Sequence, residues 1–442
     1  VESALERLIR EGSDDDVRRF FLLLRPPELA DLLEHTAEED RIRVLRLMGA
    51  PLASDVLREV EEPQREEILE DLSPKEIAAI VAQSKSDDAA DLIGALPPEK
   101  AEDTLGKLDR EERREIEELL RYPEESAGGL MQTEVVKVPS DAPVEAAIDA
   151  VRDADPERMG EIHEVYVVDR DGRLVGSVSP ADLLHAEPET PVRDIVEPNP
   201  VVVPVTMDQE KLAETVVEHD LAAVPVVDER GVLVGQVLHD DVANVLEEEA
   251  TEDIAKMAGA DPEEVYDESI ARAVRARAGW LLPSFLGGLL VTFVLGGAQE
   301  VMQQVPWLAA FLPVILGMAG NVGTQTSAIT VRGLALGRVR VGPAIRRQVV
   351  TGVLLGIVFG LLLFAFTALR GASDDAARAG LTVAVAIFTS MSVGATMGVC
   401  VPLLAHRLGF DPAVASSPFV QTTNDLTGAG IAILVTHWIL LG

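Results

Sequence analysis

Five apolar stretches fill the last third of the chain, at residues 281–298, 307–336, 348–369, 381–405 and 418–441. A helix needs about 20 such residues to cross a bilayer, and hydrocarbon accepts only backbones whose polar groups bond internally. This part is therefore expected to be a five-helix membrane bundle, with Pro283 and the glycines accommodated inside it. An odd number of spans places the two ends of the bundle on opposite sides.

Charge sets the orientation. From residue 269 onward there are five acids against eleven arginines, leaving seventy acids against twenty-seven bases before it, so the soluble part stands near −43 and the membrane part near +6. Arg272, Arg275 and Arg277 precede the first span, and Arg332, Arg338, Arg340, Arg346 and Arg347 crowd the second-to-third connection. Positive loops stay cytosolic. The first-to-second and third-to-fourth connections hold Glu300 and the mixture of Arg370, Asp374, Asp375 and Arg378, with no positive excess. The reading is a multi-pass plasma (inner) membrane protein whose N-terminal domains are cytosolic and whose C-terminus is outside. The acidic half excludes nucleic acid as a partner, since phosphate binding needs the opposite sign. It suits cations, although acidic surfaces also serve solubility in salt. The one cysteine, Cys400, leaves disulfides no structural part.

Residues 1–130 read as short amphipathic helices. Leu29, Leu32 and Leu33, or Ile77, Ile80 and Val81, recur at helical spacing, and Pro26-Pro27-Glu28, Ser73-Pro74-Lys75-Glu76 and Pro97-Pro98-Glu99 place proline where a helix start tolerates it. Degenerate helical hairpins of this kind suggest a superhelical α-helical N-domain. Over 131–246 the character changes to Val-rich strands alternating with helices, and two stretches match at an offset of 59 residues. Asp169 matches Asp228, Gly172 matches Gly231, Gly176 matches Gly235 and Asp182 matches Asp241. Each copy reads as strand, Asp/Gly turn, strand, helix. The duplication resembles a tandem α/β CBS pair, a module that binds adenine nucleotides such as ATP in some families and only transmits conformational change in others. An acidic helix, 247–270, with Glu248, Glu249, Glu252, Asp253, Asp261, Glu263, Glu264, Asp267 and Glu268, then leads to the transmembrane domain at 271–442.

Asp425 is the acid at membrane depth, since Glu300, Asp374, Asp375 and Asp411 fall at the breaks between stretches. An ionised group at the centre of a span costs roughly 2.5–3.5 kcal/mol on insertion scales and usually faces a cavity or a partner. Its neighbours Gln421, Thr422, Thr423, Asn424 and Thr427 add oxygens. In the second span, residues 317–326 combine three glycines with four amide or hydroxyl side chains, and an irregular backbone is expected there. Oxygen ligands without His or Cys indicate a hard cation. One carboxylate per subunit suits Mg²⁺, which keeps its water, better than Ca²⁺.

Taken together, the chain resembles the MgtE family of magnesium channels over nearly its full length. The supporting motifs are Ser86-Asp-Asp-Ala-Ala-Asp-Leu, Tyr122-Pro-Glu-Glu-Ser-Ala-Gly-Gly-Leu-Met, the glycine-rich second span and Asp425-Leu-Thr-Gly. The resemblance implies a homodimer in the lipid bilayer in which Asp425 holds hydrated Mg²⁺ near the two-fold axis, with backbone carbonyls of Gly317, Gly320 and Gln421 and polar help from Thr324 and Asn424. The family often has Asn at the position of Thr324. Asp411 would lie at the inner mouth. Regulatory Mg²⁺ would bind Asp87 and Asp91, Asp208, Glu210 and Asp220, and Asp241, Glu249, Glu252 and Asp253; Asn244 stands where an acid is sometimes expected.

The implied activity is passive, non-enzymatic Mg²⁺ uptake through a channel that closes when internal Mg²⁺ bridges the acidic domains and the 247–270 plug helix. Two alternatives stand beside it: a proton- or Na⁺-coupled divalent cation transporter, and a membrane-anchored nucleotide-sensing CBS protein.

Overall fold

The computed structural model describes residues 13–155, 159–198, 200–260, 270–335, 341–370, 374–416 and 418–441 of the 442. Asp261, Glu263, Glu264, Asp267, Glu268, Arg338 and Arg340 lie outside the described residues. Chain contacts divide the protein after Glu247 into two compact units.

The first unit opens with α1 (Asp14–Phe21), α2 (Pro26–Glu34), α3 (Glu38–Met48), α4 (Ala50–Glu59), α5 (Glu62–Asp71), α6 (Pro74–Val81), α7 (Ser86–Gly94), α8 (Pro98–Leu105) and α9 (Arg110–Leu119). The proline-led starts are realised. Ser73 accepts from the Glu76 amide while Glu76 returns a bond to the Ser73 amide, and Pro74 occupies the first turn. Alternate helices pack on one another, α2 on α4, α4 on α6 and α6 on α8, with α1 on α3 and α7 on α9. Stacking of alternate helices makes a superhelix around one core that includes Leu29, Leu33, Leu57, Ile68, Leu69, Ile77 and Ile93.

The duplicated region forms two small sheets. The first has the order β1 (Lys137–Pro139), β2 (Val165–Val168), β3 (Leu174–Val178), β4 (Glu197–Pro198), with helices α10 (Val144–Asp153) and α11 (Pro180–His185). The second has β5 (Val203–Pro204), β6 (Ala223–Val227) and β7 (Leu233–Leu238), with α12 (Gln209–Glu218) before β6. In both, the first strand pairs parallel and the hairpin antiparallel. The turns match in detail. Asp169 Oδ1 accepts from the amides of Asp171 and Arg173 at 2.8 and 2.9 Å, and Asp228 Oδ1 from those of Arg230 and Val232 at the same distances. Gly172 and Gly231 sit at φ +80° and +78°, where a side chain would be strained. The turns also pair with each other: the Leu174 amide donates to Gly231 O and the Leu233 amide to Gly172 O, both at 3.1 Å. Positions 59 apart thus exchange equivalent bonds, the mark of a local two-fold relation.

Helix α13 (His239–Ala258) starts as the second repeat's helix and runs unbroken into the connecting segment. The second unit continues with α14 (Ile270–Gly297), α15 (Gln299–Gln304), α16 (Leu308–Ala335), α17 (Val341–Arg370), α18 (Asp374–Arg407), α19 (Pro412–Ser416) and α20 (Pro418–Thr436). Among the described residues five helical segments are long and apolar enough to cross a membrane: Ile270–Gly297, Leu308–Leu334, Ile345–Leu369, Ala377–Arg407 and Pro412–Leu441. α18 lies against α16, α17 and α20, and Val383, Ala386, Ile387, Met391 and Ala395 make it the centre of the core.

One expectation is corrected. Residues 317–326 do not interrupt the second span, because α16 is helical throughout. A glycine costs a helix roughly 1 kcal/mol, and here contact with other helices offsets it: Gly323 is covered by Asn424 and lies against Gly398. The hydroxyls of Thr324 and Thr330 bond carbonyls of their own helix and so require no break.

The turn geometry sets a test. Asp228→Ala removes two bonds to a charged acceptor and is expected to destabilise the second sheet by about 1.5–3 kcal/mol, read as faster amide exchange in β6 and β7 with β2 and β3 little changed.

Candidate functional site

On α20, Gln421, Asn424 and Asp425 are three and four residues apart and share one face. That face meets α16. Asn424, 1% exposed, donates from Nδ2 to Ala319 O at 3.4 Å and fills the space that a side chain at Gly323 would need. Gln421 lies over Gly320 in the same way, and Thr422 presses into Gly287 of α14. Three polar side chains in glycine notches fix the rotation of α20. Asn424 Oδ1 and Thr422 Oγ1 are buried without a partner among the described residues.

Asp425 is half-buried, and its Oδ1 accepts from Gln421 Nε2 at 3.1 Å. Among the described residues no other hydrogen bond reaches this carboxylate. The structure therefore joins Asp425, Gln421 and Gly320, and through Gly320 also Thr324, whose hydroxyl donates to Gly320 O at 3.1 Å. Gly317 is exposed, one turn earlier on α16, with open space where a Cβ would be. The carbonyls of Gly317, Gly320 and Gln421 belong to intact helices. Those of Gly317 and Gln421 can offer a hydrogen-bonded water a second lone pair, that of Gly320 already accepts from Thr324, and none is freed by a break.

A second acidic group gathers around Lys256 on α13. Its Nζ donates to Asp411 Oδ2 at 2.8 Å and pairs closely with Glu252. Asp411 also accepts from the Ala413 amide at 2.7 Å. Burial pulls Lys256 down, but its bonds to Asp411 and Glu252 outweigh that and hold the ammonium above its usual range. Burial and then Asp411 raise Asp253. Glu249 is half-buried one turn before Glu252 and Asp253 on the same helix. Lys256 was not foreseen from the sequence. An isolated lysine in an acidic run looks like surface, and its partner Asp411 is remote in sequence.

The third group is in the first unit. Asp87, 7% exposed in α7, lies with Asp88, Asp241 at the start of α13, Lys85 and Arg58. Burial raises all three carboxyls, Asp87 to about 6, Asp241 to about 7 and Asp88 to about 8; Asp87 adds to the shift of the other two, while Arg58 and Lys85 oppose it. Asp241 Oδ2 and Glu134 Oε1 are buried without a partner among the described residues. Asp220, Lys85, His163, His239 and Asp240 line a nearby cleft of about 500 Å³. Asp91 is exposed one turn after Asp87. Asp208 caps α12, accepting from the Glu210 amide at 3.1 Å, and both acids are exposed. Asp88 and Arg58 are the members that sequence reasoning missed, though Asp88 stands in the same Ser-Asp-Asp motif. Among the described residues no three His, Cys, Asp or Glu converge to hold a metal ion directly.

Comparison with known proteins gives matches across the whole chain. The family described as MgtE, divalent cation transporter, matches residues 312–435; the MgtE intracellular N domain matches 24–125; the CBS domain matches 127–189 and 192–248. The magnesium transporter MgtE of Thermus thermophilus is 35% identical over 99% of this chain and 98% of its own, and that of Bacillus subtilis 29% over 97% and 96%. A crystal structure of the cytosolic domain of the Mg²⁺ channel MgtE in complex with ATP is similar at 35% identity and a TM-score of 0.53, covering 55% of this chain and all of that one. The soluble part of a magnesium transporter is similar at 30% identity and a TM-score of 0.51, covering 56% and 98%.

The buried carboxyls set a pH dependence. A carboxyl raised in the folded state binds its proton more tightly there than when unfolded, so its stabilising effect is full below the unfolded pKa of 3.8 and is lost progressively as pH rises from there to about 6 for Asp87 and about 8 for Asp88. Without divalent cations the apparent Tm of the soluble part is expected to fall by roughly 2–6 °C between pH 5 and pH 8.5, and Asp88→Asn should flatten that fall in differential scanning fluorimetry.

Proposed function

The chain belongs to the MgtE family of divalent cation transporters, and on that premise we propose that it is a homodimeric Mg²⁺ channel for passive uptake, closed by internal Mg²⁺. It is a transporter and not an enzyme. The observation that carries the reading is Asp425, a carboxylate on a spanning helix whose position is fixed by side chains seated on glycines of the neighbouring helices.

The chemistry favours a hydrated ion. One carboxylate with helical carbonyls around it cannot replace the water of Mg²⁺, which leaves its shell reluctantly, but it can accept hydrogen bonds from that water. Two copies at a shared axis would give two such acceptors. Inward movement needs no coupling ion, because the membrane potential supplies about 2.3 kcal/mol per charge per 100 mV. Gln421, Gly317, Gly320, Thr324 and Asn424 complete the pore set, and Asp411 stands at the inner mouth with the C-terminus outside.

Gating follows from the acids. Asp87, Asp91 and Asp241, with Asp208, Glu210 and Asp220, and Glu249, Glu252 and Asp253 on α13, are the regulatory positions. Uncompensated like charges cost about 1–4 kcal/mol per close pair depending on the local dielectric. Internal Mg²⁺ relieves that repulsion and shifts the population toward a closed form, which by linkage binds Mg²⁺ more tightly. The CBS pair is the proposed place for ATP or another adenine nucleotide, a reading supported by the similar cytosolic domain whose crystal structure is in complex with ATP.

In liposomes, Asp425→Asn is expected to lower Mg²⁺ influx about 10- to 100-fold, the equivalent of losing a hydrogen bond to a charged group; unchanged influx would remove the pore assignment. For gating, millimolar Mg²⁺ is expected to protect the acidic half from trypsin, and equal cleavage with and without Mg²⁺ would contradict closure by bridging.

A further inference from the structure

We infer that the side chain of Gln421 positions the Asp425 carboxylate and thereby sets the preference for a hydrated ion. The inference rests on the reading of Asp425 as the pore site and concerns the Gln421 amide, not its carbonyl.

Gln421 and Asp425 are one helical turn apart on α20, and Gln421 Nε2 donates to Asp425 Oδ1 at 3.1 Å. The amide can occupy that place because residue 320 has no side chain. A Cβ on Gly320 would lie 2.5 Å from Gln421 Oε1 and 2.6 Å from Nε2. Thr422 against Gly287 and Asn424 against Gly323 hold α20 on either side of this contact, so the amide and the carboxylate keep their register.

The bond has a chemical consequence. An unrestrained carboxylate can turn both oxygens to one cation and displace water, a mode that Ca²⁺ accepts and Mg²⁺ resists. With Oδ1 held by an amide, Asp425 presents Oδ2 and acts as a one-oxygen acceptor. Such a group suits the water shell of a small ion and disfavours direct two-oxygen ligation. The donor is neutral, so the full negative charge remains for the ion.

The contact with Gly320 makes this separable from packing. The atoms that Gly320→Ala would strike are the end of a flexible side chain, so the amide moves aside and the helices stay as they are. In proteoliposomes of the full-length protein, Mg²⁺ and Ca²⁺ uptake would be compared for wild type, Gln421→Met, Gln421→Ala, Gly320→Ala, the double variant and Asp425→Asn. Gln421→Met keeps the length and loses the donor. It is expected to raise the half-saturating Mg²⁺ concentration about 3- to 10-fold, a typical net worth of one hydrogen bond, and to raise the Ca²⁺ to Mg²⁺ ratio. Gly320→Ala is expected to give the same two changes in the Gln421 background and neither in the Gln421→Ala background. Wild-type half-saturation and ion ratio in Gln421→Met, or an equal effect of Gly320→Ala in both backgrounds, would overturn the inference while Asp425→Asn keeps its loss of influx of about 10- to 100-fold. Wild-type uptake in Asp425→Asn would overturn the underlying pore reading as well.

Discussion

The hydrogen bond from Gln421 to Asp425 exists because α20 lies close enough to α16 for an amide to cover Gly320 and for Asn424 to fill the space over Gly323. A carboxylate placed this way has a fixed direction, which a charge on a loosely packed helix would not have. Membrane helices gain little from hydrophobic association, so small residues that allow close approach are what bring them together. The same glycines therefore assemble the bundle and aim the acid. Intact helices leave little bare backbone for an ion, which is why the account turns on water-mediated contact.

Charge away from that site is arranged in two different ways. Around Asp411 and Glu252 the counter-ion is built in as Lys256, which joins α13 to the connection before α20. Around Asp87, Asp88 and Asp241 the counter-ions are weaker, and the carboxyls are held above their usual range. The second arrangement leaves a demand for positive charge that a proton or a divalent ion can meet. The first already has its cation, so an ion bound at Asp411 must displace the ammonium or share the acid with it.

Much of this was readable in the sequence where the determinants are local. Ser73-Pro74-Lys75-Glu76 specifies a helix start through its own side chains, and the Asp169/Gly172 and Asp228/Gly231 turns carry both the acceptor and the positive φ they need. The five spans follow from apolar length. Contacts between distant segments were not readable. Residues 317–326 look like a break because the glycine cost is local, while the compensation comes from Asn424 and Gly398 on other helices. Lys256 gives no sign of Asp411, and nothing in Ser-Asp-Asp tells which acid faces Asp241. The Gln421 side chain gains its role only when Gly320 is opposite.

The central claim is that Mg²⁺ crosses passively, as a hydrated ion, past Asp425. The most direct test is the reversal potential of the purified protein in a planar bilayer under a Mg²⁺ gradient. A passive path for a doubly charged ion is expected to shift that potential by about 30 mV per tenfold gradient, whatever the proton or Na⁺ gradient, with the current lowered about 10- to 100-fold in Asp425→Asn. A reversal potential that follows pH or Na⁺, or a Mg²⁺ current undiminished by the substitution, would contradict the account.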